Sequence, residues 1–170
     1  LISPDKDDSF FHLSSFLETA DVLLDGILGT GIKLPLKKEV AELLSEVNDL
    51  LESLDESPLV IAVDCPSGVD CDSGEVADET IHADITVTMA AVKQGLLKLP
   101  AFEYVGELKV VDIGLPVDLP SLKNLQTEVV DEDSVSALLP ERALDSHKGT
   151  FGTALIAAGS VNYSGAVVLA

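Results

Sequence analysis

A chain of 170 residues with 46% hydrophobic content and positive mean hydropathy can bury a core and is not a disordered tail. Asp and Glu number 30 against 10 Lys and Arg, giving a formal charge of −20 with no basic run, which argues against nucleic acid and anionic membranes as partners. No apolar run approaches the roughly 18 residues of a membrane span. With no secretory segment, Cys65 and Cys71 are expected to be a reduced thiol pair in the cytoplasm rather than a disulfide framework or a metal site.

After a polar opening, Phe10, Phe11, Leu13, Phe16 and Leu17 suggest a short helix. Val22 to Leu28 reads as a strand interrupted by Asp25. Gly29-Thr30-Gly31 follows, a turn of small side chains. Pro35 lies near the first position of a helix in which Leu36, Val40, Leu43, Leu44, Val47, Leu50, Leu51 and Leu54 recur at spacings of three and four. That phase predicts Leu43, Val47 and Leu50 against a sheet and Glu42, Asp49 and Glu52 in solvent. Leu59 to Val63 is wholly apolar, and Val60, Ile61 and Val63 are β-branched, the pattern of a strand buried on both faces of a parallel sheet. Strand, small-residue turn, helix and strand make a βαβ unit, which brings Asp25, Gly29 to Gly31 and Asp64 to one edge of the sheet.

The strand ends at Asp64. Pro66 cannot continue a ladder and Gly68 permits a tight turn, so Asp64 and Ser67 should converge at a strand's carboxyl end, where open α/β sheets bind ligands. Asp64 reads equally well as a cap for the following turn. The Gly-Thr-Gly turn offers backbone N–H groups to an anion, or is simply a tight connection; it lacks both the Gly-Lys-Ser/Thr ending of a P-loop and a third fingerprint glycine. Downstream, Ile85, Val87 and Met89 alternate with Thr86 and Thr88 as in a strand whose outlet carries Lys93 and Gly95. Leu108 to Ile113 is another strand, Leu115 to Leu125 a Pro-broken linker, Asp131 to Leu139 a short helix, and Ala154 to Ala158 a buried strand. His12 and His82 read as structural; Asp70, Asp72 and Asp112 read as turn caps.

Four ordered motifs, Asp25-Gly-Ile-Leu-Gly-Thr-Gly, Val63-Asp-Cys-Pro-Ser-Gly-Val-Asp, Ala83-Asp-Ile-Thr-Val-Thr through Lys93, and Val111-Asp-Ile-Gly-Leu-Pro, resemble the NAD(P)HX epimerase domain, also called the YjeF N-terminal domain. The tail, from Leu139-Pro-Glu-Arg through Asp145-Ser-His-Lys-Gly-Thr-Phe-Gly to Tyr163-Ser-Gly-Ala, resembles the opening of the ribokinase-like NAD(P)HX dehydratase. The resemblance implies an α/β fold with a three-layer, Rossmann-like, mostly parallel sheet, followed by the first elements of a ribokinase-like α/β domain. Its implied boundaries are residues 1–120 for the second half of the epimerase domain, 121–137 for a linker and 138–170 for the start of the dehydratase.

The function so implied is repair of hydrated NADH or NADPH. The R and S forms are epimerised, and the S form is dehydrated with ADP or ATP. Asp25 and Ser67 match potassium ligands of the family. Gly29, Thr30, Gly31, Ile32, Lys33, Leu34 and Pro35 match the loop that holds the hydrated dinucleotide. Asp64 matches a substrate-contacting residue proposed as acid/base, and Ala166 matches a substrate contact of the dehydratase. Burial would raise the Asp64 pKa and suit it to proton transfer. His147 belongs to the dehydratase motif. The family's Gly-Asn-Asn-Gly-Gly-Asp-Gly loop is absent, the chain opens on Leu1, and it stops within Ala166-Val-Val-Leu-Ala; part of a longer polypeptide is the expectation. A homo-oligomer is left open. Competing readings are a dinucleotide-binding or interaction module without turnover and a ribokinase-like small-molecule kinase.

Overall fold

The computed structural model describes residues 10–116 and 118–160 together with Gly165 and Val168. Two compact units divide the chain, Leu1–Gln126 and Thr127–Ala170. In the first, α1 (Phe11–Leu17), β1 (Val22–Asp25), α2 (Lys38–Ser53), β2 (Leu59–Val63), β3 (Ile85–Met89), a 3₁₀ turn (Gln94–Leu97), α3 (Phe102–Val105), β4 (Glu107–Val111) and α4 (Pro120–Lys123) follow one another. The four strands form one parallel sheet in the order β1-β2-β3-β4. This is the expected Rossmann-like parallel α/β sheet.

Strand boundaries follow from where the backbone is released. β1 stops at Asp25 rather than running to Leu28, because the buried carboxylate is drawn to Ser67 and ends the ladder. β2 ends at Val63, yet the Asp64 N–H still donates to the Val87 carbonyl at 2.9 Å before a φ of 72° turns the chain away. The register Asp25↔Ala62↔Thr86↔Leu108 puts these four side chains on the same face. That face carries the core. Leu44, Val47, Val60, Ala62, Ile81 and Ala83 form one cluster, with Leu13, Leu23, Val40, Leu43 and Leu51 packed on it. Cys65, Val69, Cys71, Leu96, Ala101 and Val105 form a second, with Leu108 beside it.

The opposite face of the sheet is open among the described residues. Val22, Leu24, Leu59 and Met89 are exposed, and Ile61, Val63, Ile85 and Val87 are half-buried. Thus β2 is buried on one face rather than two. The strand order explains this: sequential strands joined by crossovers of one hand send every connection over the same side. A three-layer arrangement requires the order to reverse, and within these four strands it does not. The described residues therefore supply the sheet and one covering layer.

Helix α2 starts at Lys38 and ends at Ser53, slightly inside the Leu36 to Leu54 span expected, with Pro35 in the preceding loop rather than at the helix start. Its buried residues are Leu44 and Val47. Leu43 and Leu51 flank them, while Leu50 stands off the cluster, so the inward face is turned slightly from the one expected. Glu42, Asp49 and Glu52 are exposed, as the periodicity predicts. Asn48 Nδ2 ties the helix to the Glu79 carbonyl at 3.0 Å. β3 inverts the usual hydropathy rule: Thr86 and Thr88 are fully buried while Met89 is exposed. Thr86 avoids the cost of a buried hydroxyl by donating to the Val105 carbonyl at 2.6 Å.

In the second unit, α5 (Glu132–Leu138) is capped by Asp131, which accepts from the Ser134 N–H at 2.8 Å while the Ser134 hydroxyl accepts from the Asp131 N–H at 2.9 Å. Residues 154–158 form no strand and are exposed, contrary to their apolar pattern. A β-rich run needs a neighbouring strand to pair with, and the described residues of this unit provide none over that stretch. Ala166, together with most of the Tyr163-Ser-Gly-Ala motif, lies outside the described residues.

Candidate functional site at the carboxyl edge of the sheet

Two side-chain clusters sit at the carboxyl ends of β1, β2 and β3. The first joins β1 to the loop after β2. Asp25 is 3% exposed and accepts twice from Ser67, from the N–H at Oδ2 (2.7 Å) and from the hydroxyl at Oδ1 (2.5 Å). The Ser67 oxygen in turn accepts from the Leu28 N–H at 2.9 Å. Gly68 makes this loop geometry affordable: its φ is 106°, and a Cβ there would lie 2.2 Å from the Thr80 hydroxyl. No lysine or arginine pairs with Asp25 among the described residues, so a buried negative charge rests on hydrogen bonds alone. A carboxylate and a hydroxyl with unused lone pairs are hard oxygen donors. The residues present fit a cation such as potassium, which would neutralise Asp25.

The second cluster surrounds Asp64. The Met89 N–H donates to Oδ1 at 2.9 Å, the Lys93 ammonium makes a short ion pair with the same oxygen, and the Thr88 hydroxyl lies 3.5 Å away. Lys93 also donates to Thr88 Oγ1 and to the Met89 carbonyl, each at 3.0 Å. Burial pushes the Asp64 carboxyl up, but the Lys93 hydrogen bond, the Met89 N–H, the Lys93 charge and Thr88 together outweigh it and hold the pKa below the ordinary value. The expectation that burial leaves this group raised is therefore corrected: the Lys93 pair and the Met89 N–H outweigh burial, and Asp64 stands as a carboxylate. A positive φ fits this position, because aspartate tolerates the left-handed region better than most residues.

Asp25, Asp64 and Ser67 thus share one edge of the sheet, with Asp64 and Asp25 in separate clusters linked by the Asp64–Ser67 loop. The expected loop Gly29, Thr30, Gly31, Ile32, Lys33, Leu34 and Pro35 continues from the first cluster. A cavity of about 440 Å³ is lined by Leu28, Gly31, Ile32, Lys33, Pro35, Leu36, Lys37 and Val40. Neither Asp25 nor Asp64 lines it. Gly29 and Gly31 have nothing within 4 Å of where a side chain would stand, so packing in the chain does not explain their smallness. The glycine turn does not open α2 directly; the loop through Lys37 intervenes, which removes the helix N-terminus as its anion partner.

Lys93 and Thr88 are the parts sequence reading left without a role. The legible signal was a lone lysine at the outlet of a strand in a strongly acidic chain. Asp70, Asp112, His82 and His147 each have local partners among the described residues. Asp70 accepts from the Asp72 and Ser73 N–H groups, Asp112 accepts from the Gly114 N–H, and His82 stacks on Tyr104 with ring centroids 4.1 Å apart. His147 accepts from the Gly149 N–H at 3.2 Å within an exposed turn. Cys65 and Cys71 are free and buried; the contact with Cys71 and burial push the Cys65 thiol up.

A four-stranded parallel α/β sheet with two carboxylates and a small-residue loop at its carboxyl edge defines a Rossmann-like domain. Residues 1–95 match the family described as YjeF-related protein N-terminus, and the chain belongs to that family. Among its relatives, the bifunctional NAD(P)H-hydrate repair enzyme Nnr of Thermofilum pendens is 40% identical over 157 residues, 92% of this chain and 28% of that protein. The enzyme of the same name from Pyrobaculum aerophilum is 39% identical, with 92% of this chain and 28% of that protein covered. The NAD(P)H-hydrate epimerase of Rhodopirellula baltica is 41% identical over 103 residues, 61% of this chain and 40% of that protein. The chain therefore spans 28% of the length of these two bifunctional relatives. No described helix is long and apolar enough to cross a membrane.

Proposed function

We propose that this chain carries the catalytic edge of an NAD(P)H-hydrate epimerase, acting on NADH or NADPH hydrated on the nicotinamide ring, within a protein that also dehydrates the S form with ADP or ATP. The observation that carries the reading is the convergence of the Asp25–Ser67 pair and the Lys93-held Asp64 at one sheet edge. Asp25 and Ser67 hold potassium, which offsets the buried carboxylate. The Gly29 to Pro35 loop holds the dinucleotide, and the bare surface at Gly29 and Gly31 supports close contact there. Asp64, standing as a carboxylate, takes the hydroxyl proton at the hydrated ring carbon as that carbon's bond to the ring nitrogen breaks and leaves an aldehyde, and returns it when the nitrogen adds back to the other face of the carbonyl, so bonds and protons both balance. The motif match extends the reading to Ala166, outside the described residues, as a contact for the dehydratase substrate. The break between compact units falls between Gln126 and Thr127, inside the expected 121–137 linker, and supports residues 1–120 and 138–170 as parts of two catalytic domains.

The test follows R-to-S conversion of hydrated NADH by chromatography in the complete gene product. Asp64→Asn keeps the shape and suits the left-handed backbone, so binding should persist while turnover falls by roughly 10²-fold or more. Ser67→Ala should raise the potassium concentration required. Near-normal turnover in Asp64→Asn with lost dinucleotide binding would make Asp64 a binding residue and move proton transfer elsewhere. Binding without any conversion by the unaltered protein would instead favour an interaction module.

A further inference from the structure

The hydrogen bonds at Asp64 are one-sided. The Lys93 ammonium, the Met89 N–H and, at greater length, the Thr88 hydroxyl all meet Oδ1, while Oδ2 has no partner among the described residues. An ammonium has three N–H donors, and Lys93 spends them on Asp64 Oδ1, Thr88 Oγ1 and the Met89 carbonyl. The Lys93 side chain is 21% exposed and that of Asp64 23%, so the pair is partly shielded and screening by water is reduced. A fully engaged ammonium is poorly placed to bind a substrate phosphate or to donate a proton. It is well placed to fix a neighbour.

We propose that Lys93 is a positioning residue for epimerisation, pinning Oδ1 of Asp64 so that Oδ2 alone is the atom that takes and returns the substrate proton. The proposal rests on the epimerase reading of Asp64 and adds which oxygen works and what holds it. Thr88 serves as the second point of the clamp, since its buried hydroxyl accepts from the ammonium at 3.0 Å and lies 3.5 Å from the same carboxylate oxygen. The other titratable groups facing Asp64 are the thiols of Cys65, its neighbour in sequence, and Cys71, from the loop that follows. Both are buried, so the ammonium is the one full charge of opposite sign described at this carboxylate.

The experiment has a titration arm and a kinetic arm, both in the complete gene product. The carboxyl carbon signal of Asp64, assigned by its loss in Asp64→Asn, is titrated by NMR in the unaltered protein and in Lys93→Met. The midpoint should lie below that of an ordinary aspartate and move up when the ammonium is removed. In the kinetic arm, Lys93→Met should lose about 10²-fold in kcat, the size of effect expected from misplacing a reacting group, with KM little changed and the acid limb of the pH profile moved upward. Lys93→Arg, which keeps the charge, should recover part of the loss. A raised KM with unchanged kcat would overturn the proposal by making Lys93 a substrate ligand. An ordinary Asp64 midpoint in the unaltered protein would overturn it without recourse to any variant. If hydrated NADH is not converted at all, the epimerase reading fails, whereas the titration still decides whether Lys93 anchors Asp64.

Discussion

Asp64 links a local charge pair to the stability of the whole fold. Its folded pKa lies below the unfolded value, so the pair contributes stability that is present above the ordinary aspartate value of 3.8 and is lost as the pH falls through the lower, folded one. Lys93→Met should therefore reduce the denaturant midpoint at neutral pH and flatten its decline below pH 3.8, read from urea titrations at a series of pH values. An identical acid-side slope in both proteins would show that the pair carries no linkage. Thr80 offers a contrasting case. Its buried hydroxyl has no hydrogen-bond partner among the described residues and sits against Gly68. An unsatisfied buried hydroxyl costs about 1–3 kcal/mol, so Thr80→Val should be neutral or stabilising by up to about 1 kcal/mol. A clear loss of stability in equilibrium unfolding would mean that the hydroxyl has a bound water or ion as its partner.

At the scale of elements, α2 concentrates its energy in two positions. Leu44 is fully buried in the first core cluster, and Leu44→Ala should cost about 2–5 kcal/mol by lost transfer energy and a residual cavity. Leu50→Ala, off that cluster, should cost about 1 kcal/mol. Equal losses in denaturant unfolding would mean that the helix is rotated from the face described. Much of this level was legible in the sequence. The apolar run at β2, the alternation at β3, the spacing in α2 and the carboxylate ending β2 each pointed to the right element, because 2- and 3.6-residue periods are local properties. What was not legible depends on distant partners. Which face of β2 is covered depends on strand order, and the burial of Thr86 depends on a carbonyl at Val105. The lowered pKa of Asp64 depends on a lysine 29 positions away. The apolar stretch 154–158 shows the converse, a local β signal without a described neighbour to pair with.

For the molecule as a whole, the open sheet face is the dominant physical fact. Among the described residues Val22, Leu24, Leu59 and Met89 are exposed there, with Ile61, Val63, Ile85 and Val87 half-buried between them, an apolar face of the kind that soluble monomers seldom present. The 170-residue chain expressed by itself should bind a hydrophobic dye and self-associate in sedimentation experiments, and Leu24→Lys should weaken both effects. Absence of dye binding at neutral pH would mean that this face is covered. The order β1-β2-β3-β4 has a further consequence, for synthesis. Each new strand pairs with the one made just before it, so the sheet can grow in the direction of translation without waiting for a distant segment. Asp25 meets Ser67 as soon as the loop after β2 exists, whereas Asp64 meets Lys93 only after β3 has joined. A nascent chain would therefore join Asp25 to Ser67 before it could hold Asp64 against Lys93.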